Sequence, residues 1–429
     1  MSFLCCTKSS FVLCAGLCIV LLAINSINQQ EERMDVEKEV KECGFYPGEL
    51  CRALFEGKPA ALVVGNFCQD ALLLPRNKEL VNLQSTSNCS TMIQELHFIT
   101  KPLSEEEAGY PLAYIITIHK KLDMFVKLLS AIYAPQNVYC IHIDQKSPKV
   151  YSQAVQRLAS CFRNVFISSR QETVVYAGIS RLQADINCME DLVRSDVPWK
   201  HVINVCGQDF PIKTNREIVQ YLKSKWNGRN LTPGVIQPQH MKYRTRFTYK
   251  EFVHMEKSYV YPTKEEKESP PHNITLYFGT AYYALTRDFV LFVISDKRAK
   301  DLLEWSKDSY SPDEHYWVTL NRMKGVPGST PNAGWEGNIR AIKWRDQQGV
   351  SHSGCNGHYV RDICVYGLGD LQWLTKSPHL FANKFDPSQY PLVTDCLERH
   401  YRLKVLKEAD VPMEKNWYFE DEYSKRTET

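Results

Sequence analysis

Ala113-Tyr114-Ile115-Ile116-Thr117-Ile118-His119 is a run of mostly β-branched and aromatic residues that closes on a polar side chain, the pattern of a strand buried on both faces. Leu122, Phe125, Leu129 and Ile132 follow at spacings of three and four, one face of a helix. The unit then recurs. Val138–Ile143 ends at Asp144, and Asn164–Ser168 precedes a helix carrying Ile179, Leu182, Ile186, Met189 and Val193. His201–Val205 leads into Cys206-Gly207-Gln208-Asp209-Phe210-Pro211. Strands alternating with helices predict an α/β fold with a mostly parallel central sheet that binds ligands at the carboxyl ends of its strands. His119, Asp144 and Asp209 stand at such ends, with Asp209 read as a helix or turn cap. No GxGxxG or P-loop is present, which excludes a standard dinucleotide fold and a P-loop enzyme.

Outward from this core, periodicity fades between Lys225 and Pro271, a polar and aromatic stretch whose length predicts a binding loop. Tyr277-Phe278-Gly279-Thr280-Ala281-Tyr282-Tyr283-Ala284-Leu285-Thr286 reads as one buried aromatic strand. Ser311-Pro312-Asp313-Glu314-His315-Tyr316-Trp317 then opens a helix with a carboxylate on its first turn. Two readings of Glu314 compete: Ser311 at N-cap, Pro312 at N1 and Glu314 at N3 spell a capping box, while a carboxylate beside an aromatic strand is also a candidate base. On spacing alone the cap is the simpler reading. Arg361 lies between the close pair Cys355 and Cys364, Lys384 within Phe381-Ala382-Asn383-Lys384-Phe385, and the charged end reads as frayed.

The 429 residues are 44% hydrophobic and 11% aromatic, enough for a substantial core. With 52 basic against 49 acidic side chains and no block of like charge, nucleic acid is excluded as a partner. Phe11–Ile24 is uncharged and apolar, a length that also suits a cleaved signal peptide; with no good small-x-small cleavage site and extended to 9–25, it predicts an uncleaved signal anchor for a thin early-secretory membrane. The expected organisation is a cytoplasmic tail at 1–8, the anchor at 9–25, a lumenal stem with disulfide-bearing residues at 26–109, a catalytic domain at 110–400 and a tail at 401–429. Eleven cysteines beyond the anchor have no zinc-ribbon or CxxC spacing, which fits an oxidising lumen. Sequons at Asn88, Asn230 and Asn273 fit the same compartment and are expected glycosylation sites.

YCIHIDQK, CGQDFPIKTNREI, FGTAYYALTR, SPDEHYWVTLNR and LFANKFD, in this order between about Pro111 and Cys396, resemble the core-2/I-branching β-1,6-N-acetylglucosaminyltransferases. The resemblance implies a GT-A-like domain in a single-pass type II Golgi membrane protein. It also implies transfer of N-acetylglucosamine from UDP-GlcNAc to a sugar 6-hydroxyl of a glycoprotein glycan, with inversion. Core-2 branching of O-glycans is the expected reaction; I-branching of poly-N-acetyllactosamine and a catalytically silent glycan-binding role are the alternatives. Carried over by residue, Glu314 is the general base, and Arg361 and Lys384 hold the diphosphate. Thr117, Ile118, His119, Asp144, Gln145, Lys146 and Tyr176 contact the nucleotide-sugar, and Trp344 faces the acceptor. The implied disulfides are Cys51–Cys396, Cys89–Cys161, Cys140–Cys188 and Cys355–Cys364, with Cys43 and Cys68 paired from the remainder. Core-2 members hold their acceptor with an acidic residue where this chain has Thr232, and His240 and Tyr243 replace the basic residues that follow. No Asp-x-Asp pair occurs, so no metal and no cofactor is expected. Fixed cations can hold a departing diphosphate in its place.

Overall fold

The computed structural model describes residues 47–72, 88–254 and 257–419. The expected anchor at 9–25 lies outside these residues, and among them no helix is long and apolar enough to cross a membrane. Four strands, β1 (Leu112–Ile118), β2 (Val138–Ile143), β3 (Val165–Ile167) and β4 (His201–Cys206), pair in parallel in the order β4-β1-β2-β3. The helices Leu122–Ile132, Lys149–Ala159 and Ile179–Leu192 make the crossovers. Side chains alternate across the pleat, so the sheet is buried on both faces. Tyr114, Ile116 and Ile118 enter one hydrophobic cluster with Phe125 and Leu129, while Ala113 and Ile115 enter another with Leu182, Met189 and Trp317.

Among the described residues, eight short strands and two longer ones complete the set. They are β5 (Asp209–Pro211), β6 (Gly234–Ile236), β7 (Phe247–Phe252), β8 (Tyr259–Glu266), β9 (Tyr277–Gly279), β10 (Ala284–Thr286), β11 (Arg340–Ala341), β12 (His358–Val360), β13 (Ile363–Val365) and β14 (Phe381–Asn383). The Tyr277–Thr286 stretch is therefore two strands, not one. β9 pairs with β6, whereas β10 joins the main sheet antiparallel to β4. Gly279 permits the split, since a Cβ there would stand 2.0 Å from the Pro233 carbonyl oxygen. The Lys225–Pro271 stretch is likewise more ordered than its text: it contains β6, the short helix Tyr243–Arg246 and the β7–β8 hairpin.

A third cluster joins both ends of the chain. Cys51, Leu54 and Cys68 pack with Leu371, Val393, Cys396, Tyr401 and Trp417. The helix Pro391–Glu408 runs past the expected boundary at 400 and Trp417 beyond it is buried, while the charged end from 420 onward lies outside the described residues. The disulfides Cys51–Cys396, Cys89–Cys161, Cys140–Cys188 and Cys355–Cys364 are formed. Cys68 is also disulfide-bonded, and its expected partner Cys43 lies outside the described residues.

Candidate active site

The chain leaves β1 toward β2 on one side and returns to β4 on the other, which opens a crevice at the carboxyl ends of β1 and β4. Gly207 closes the turn after β4 by donating its N–H to the Thr117 carbonyl at 3.1 Å. At the end of β1, Thr117 is half-buried and His119 exposed, while Ile118 between them points into the hydrophobic core. Asp144 joins this strand end through its N–H to the Ile118 carbonyl at 2.9 Å. Its carboxylate accepts the Lys146 N–H at 2.9 Å and lies 3.3 Å from the Lys146 ammonium. Gln145 reaches the Gln171 carbonyl at 2.9 Å and accepts from Thr173 at 3.0 Å, which seats the 171–176 segment over the strand ends.

The expected cations arrive from the C-terminal half. Arg361 sits at a left-handed φ of 51° in the β12–β13 turn, and the Cys355–Cys364 bridge anchors that hairpin. Its guanidinium lies 4.2 Å from the centroid of the Tyr176 ring, itself 59% exposed. Lys384 follows β14, its N–H donating to the Cys364 carbonyl at 3.3 Å and its ammonium to the Val360 carbonyl at 3.5 Å. Burial holds the Lys384 pKa below its ordinary value, opposed by Cys206 and helped by the positive Arg361 and Lys120. Lys120 is a cation that sequence reasoning missed. Trp344 is half-buried and bridges to Ile363, beside the Arg361 turn.

Glu314 overturns the capping-box reading. Ser311 adopts a left-handed φ of 46° with no side-chain cap, and Pro312–Glu314 is a 3-10 turn. The Ser311 N–H donates to the Ala177 carbonyl at 2.8 Å, which ties this turn to Tyr176. The Glu314 side chain, 29% exposed, is paired with Arg244. Burial pushes the Glu314 carboxyl above its ordinary range, and Arg244 pulls it back. Burial and then repulsion from Glu314 push the neighbouring Asp313 up to about 7, with Arg181 opposing. Arg244 lies 5.1 Å from the Phe278 ring and 5.3 Å from that of Tyr310. Sequence reasoning passed over Arg244 because it sits in the stretch without periodicity.

Three other expectations resolve away from a ligand. Asp209 is fully buried, accepts from the Cys206 N–H at 2.7 Å and Asn383 at 2.8 Å, and pairs with Arg340 at 3.3 Å, so its turn-cap role gains a buried ion pair. Thr232 is buried, and its hydroxyl accepts from Asn321 at 2.7 Å and Arg322 at 3.2 Å. Asn230 is corrected as a glycosylation site. It is fully buried, donating to Asn321 at 3.1 Å and to the Pro327 carbonyl at 2.8 Å while accepting from Thr286. Asn88 and Asn273 are exposed. Among the described residues, the one group with metal-ligand spacing is Cys355, Cys364 and Asp370, whose two sulfurs are joined to each other.

Comparison with known proteins places the sequence in a family. A family model described as Core-2/I-Branching enzyme matches residues 112–375. The chain is 57% identical over 425 residues to a Homo sapiens protein named probable β-1,3-galactosyl-O-glycosyl-glycoprotein β-1,6-N-acetylglucosaminyltransferase 7, covering 98% of each. It is 54% identical over 371 residues to the Homo sapiens N-acetyllactosaminide β-1,6-N-acetylglucosaminyl-transferase, 86% of this chain and 89% of that one. To the type 3 β-1,3-galactosyl-O-glycosyl-glycoprotein enzyme of Rattus norvegicus it is 45% identical over 335 residues, 76% of this chain and 75% of that one.

Proposed function

The chain belongs to the Core-2/I-branching enzyme family, and on that premise we propose that it is a β-1,6-N-acetylglucosaminyltransferase that moves N-acetylglucosamine from UDP-GlcNAc to a sugar 6-hydroxyl on O-glycans. The observation that carries this reading is the convergence of a part-buried carboxylate and two cations on one crevice. Tyr176 is the link: its ring lies under Arg361, and it feels the charges of both Glu314 and Arg361.

The proposed step is a single inverting displacement. The acceptor O6 attacks the anomeric carbon, and its proton passes to the Glu314 carboxylate. The bond from that carbon to the β-phosphate oxygen breaks, and its electron pair leaves with UDP. An alcohol is a poor nucleophile until its proton is being taken, so a base near the attacking oxygen is required. Arg361 and Lys384 face the diphosphate and stabilise its growing charge without a divalent metal. Thr117, Ile118, His119, Asp144, Gln145, Lys146 and Tyr176 line the nucleotide-sugar side, and Trp344 the acceptor side. The domain is GT-A-like, held in the Golgi lumen by the segment at 9–25.

A second acceptor reading, I-branching of poly-N-acetyllactosamine, is supported by Thr232, a buried neutral side chain whose hydroxyl accepts from Asn321 and Arg322 and supplies no carboxylate where core-2 members carry an acid. The test is incubation of the full chain with UDP-GlcNAc and a panel of galactosyl acceptors, with product linkage read by NMR. A 1,6-linked product supports the transferase. Donor binding without turnover on any acceptor supports a silent glycan-binding protein instead.

A further inference from the structure

Trp335 is 48% exposed on the loop before β11, yet the backbone that carries it is held fast. The neighbouring Gly334 carbonyl accepts from the Gly234 N–H at 2.8 Å and from Arg322 at 3.2 Å. Arg322 is itself buried and also donates to the Ala333 carbonyl at 3.0 Å and the Thr232 carbonyl at 2.8 Å. One buried guanidinium therefore clamps the 333–334 turn onto the 232–234 segment. The Trp335 indole meets Phe278 edge-on, with centroids 6.3 Å apart at 75°. The same Phe278 ring lies under Arg244, which is paired with Glu314.

A lone exposed aromatic side chain needs no explanation. An aromatic ring that is exposed on a rigid turn and linked to the candidate base through three contacts, by way of Phe278 and Arg244, has the form of a sugar-stacking surface. Its flat face offers apolar area to the C–H face of a pyranose, and its fixed backbone reduces the ordering that binding requires. Thr232, Asn321 and Arg322 are occupied with one another behind this turn, and its outward side presents the indole beside the exposed Asn332 and Glu336, the Glu336 carboxylate accepting the Gly334 N–H.

We propose that Trp335 is a specificity-determining residue that stacks on an acceptor sugar neighbouring the one that reacts, and so favours extended glycans over a minimal galactosyl unit. This rests on the glycan-transfer reading above. The test compares the full-length wild type, Trp335→Ala and Trp335→Phe on a galactosyl disaccharide and on a linear poly-N-acetyllactosamine hexasaccharide. Trp335→Ala is expected to raise KM for the hexasaccharide about five- to tenfold, the worth of one aromatic contact. Its kcat, the KM for UDP-GlcNAc and the KM for the disaccharide stay near wild type, and Trp335→Phe recovers most of the loss. Equal losses on both acceptors, or no change on either, overturn the proposal; so does a Trp335→Ala defect traced by circular dichroism to misfolding and absent in folded Trp335→Phe and Trp335→Leu. If the wild type transfers to no acceptor, saturation-transfer NMR with the hexasaccharide separates the two readings. Binding that is lost in Trp335→Ala keeps the stacking role while the transfer reading falls, and no binding by the wild type overturns the stacking role as well.

Discussion

The Arg244 guanidinium is paired with the Glu314 carboxylate across 70 residues of sequence, and three aromatic rings surround it. A base that must take a proton from an alcohol has to be ionised before the reaction starts, and burial works against that. Arg244 supplies the opposing charge.

Glu314→Gln keeps the shape of the side chain and removes the proton acceptor. Transfer should fall by about 10²- to 10⁴-fold, the usual worth of a general base, while UDP-GlcNAc binding measured by calorimetry stays close to wild type. Normal turnover in this variant would remove Glu314 from the mechanism.

Replacing Arg244 by Gln tests the ion pair separately. Because burial raises the Glu314 pKa and Arg244 lowers it, loss of the guanidinium should raise it further. The active form is the carboxylate, so the acid limb of the kcat/KM profile should move to higher pH. The rate deficit should be largest at low pH and shrink as pH rises. An acid limb that stayed in place, or moved down, would show that the pair does not tune the base.

Arg361→Ala and Lys384→Ala should each reduce transfer by on the order of a hundredfold or more, as removal of one preorganised donor from a developing anion does. The double variant should lose less than the product of the two, because both groups serve the same phosphate oxygens. Wild-type activity should persist in excess EDTA. Activity that vanished with EDTA and returned with Mn²⁺ would mean that a metal, not these side chains, holds the leaving group.

Asn230 should carry no glycan. Mass spectrometry after N-glycosidase treatment in heavy-oxygen water should leave Asn230 unlabelled, whereas any label falls on Asn88 or Asn273. Asn230→Ala strands the Thr286 N–H and hydroxyl and breaks two donations, so it should destabilise the fold by roughly 1–3 kcal/mol. A labelled Asn230, or an unchanged melting temperature in the alanine variant, would contradict the buried placement.

The parallel sheet was legible because burial on both faces leaves a local signature. Ala113–His119 and Val138–Ile143 read as strands from their β-branched runs, and they stand in the structure within a residue of that reading. The split at Thr280–Tyr283 was not legible, since two strands serving different sheets share one continuous aromatic text. The Arg244–Glu314 pair was hidden for another reason. A salt bridge between distant segments has no periodicity, and Ser-Pro-Asp-Glu imitates a helix cap locally while the chain turns left-handed at Ser311. For Asn230, a tripeptide states an acceptor pattern but carries no information on burial.

The third core cluster and the Cys51–Cys396 bridge, closed across 345 positions of chain, have a consequence for biosynthesis. During synthesis from the N-terminus, Cys51 and Leu54 emerge first and must wait, with their partners still unmade, until nearly the whole chain has been translated. A nonsense codon anywhere before Cys396 would strand the first-made helices with an uncovered apolar face and an unpaired thiol at Cys51, a species prone to aggregation. The residues from Val393 to Trp417 thus decide whether the first-made helices are ever covered, although they stand far along the sequence from Glu314.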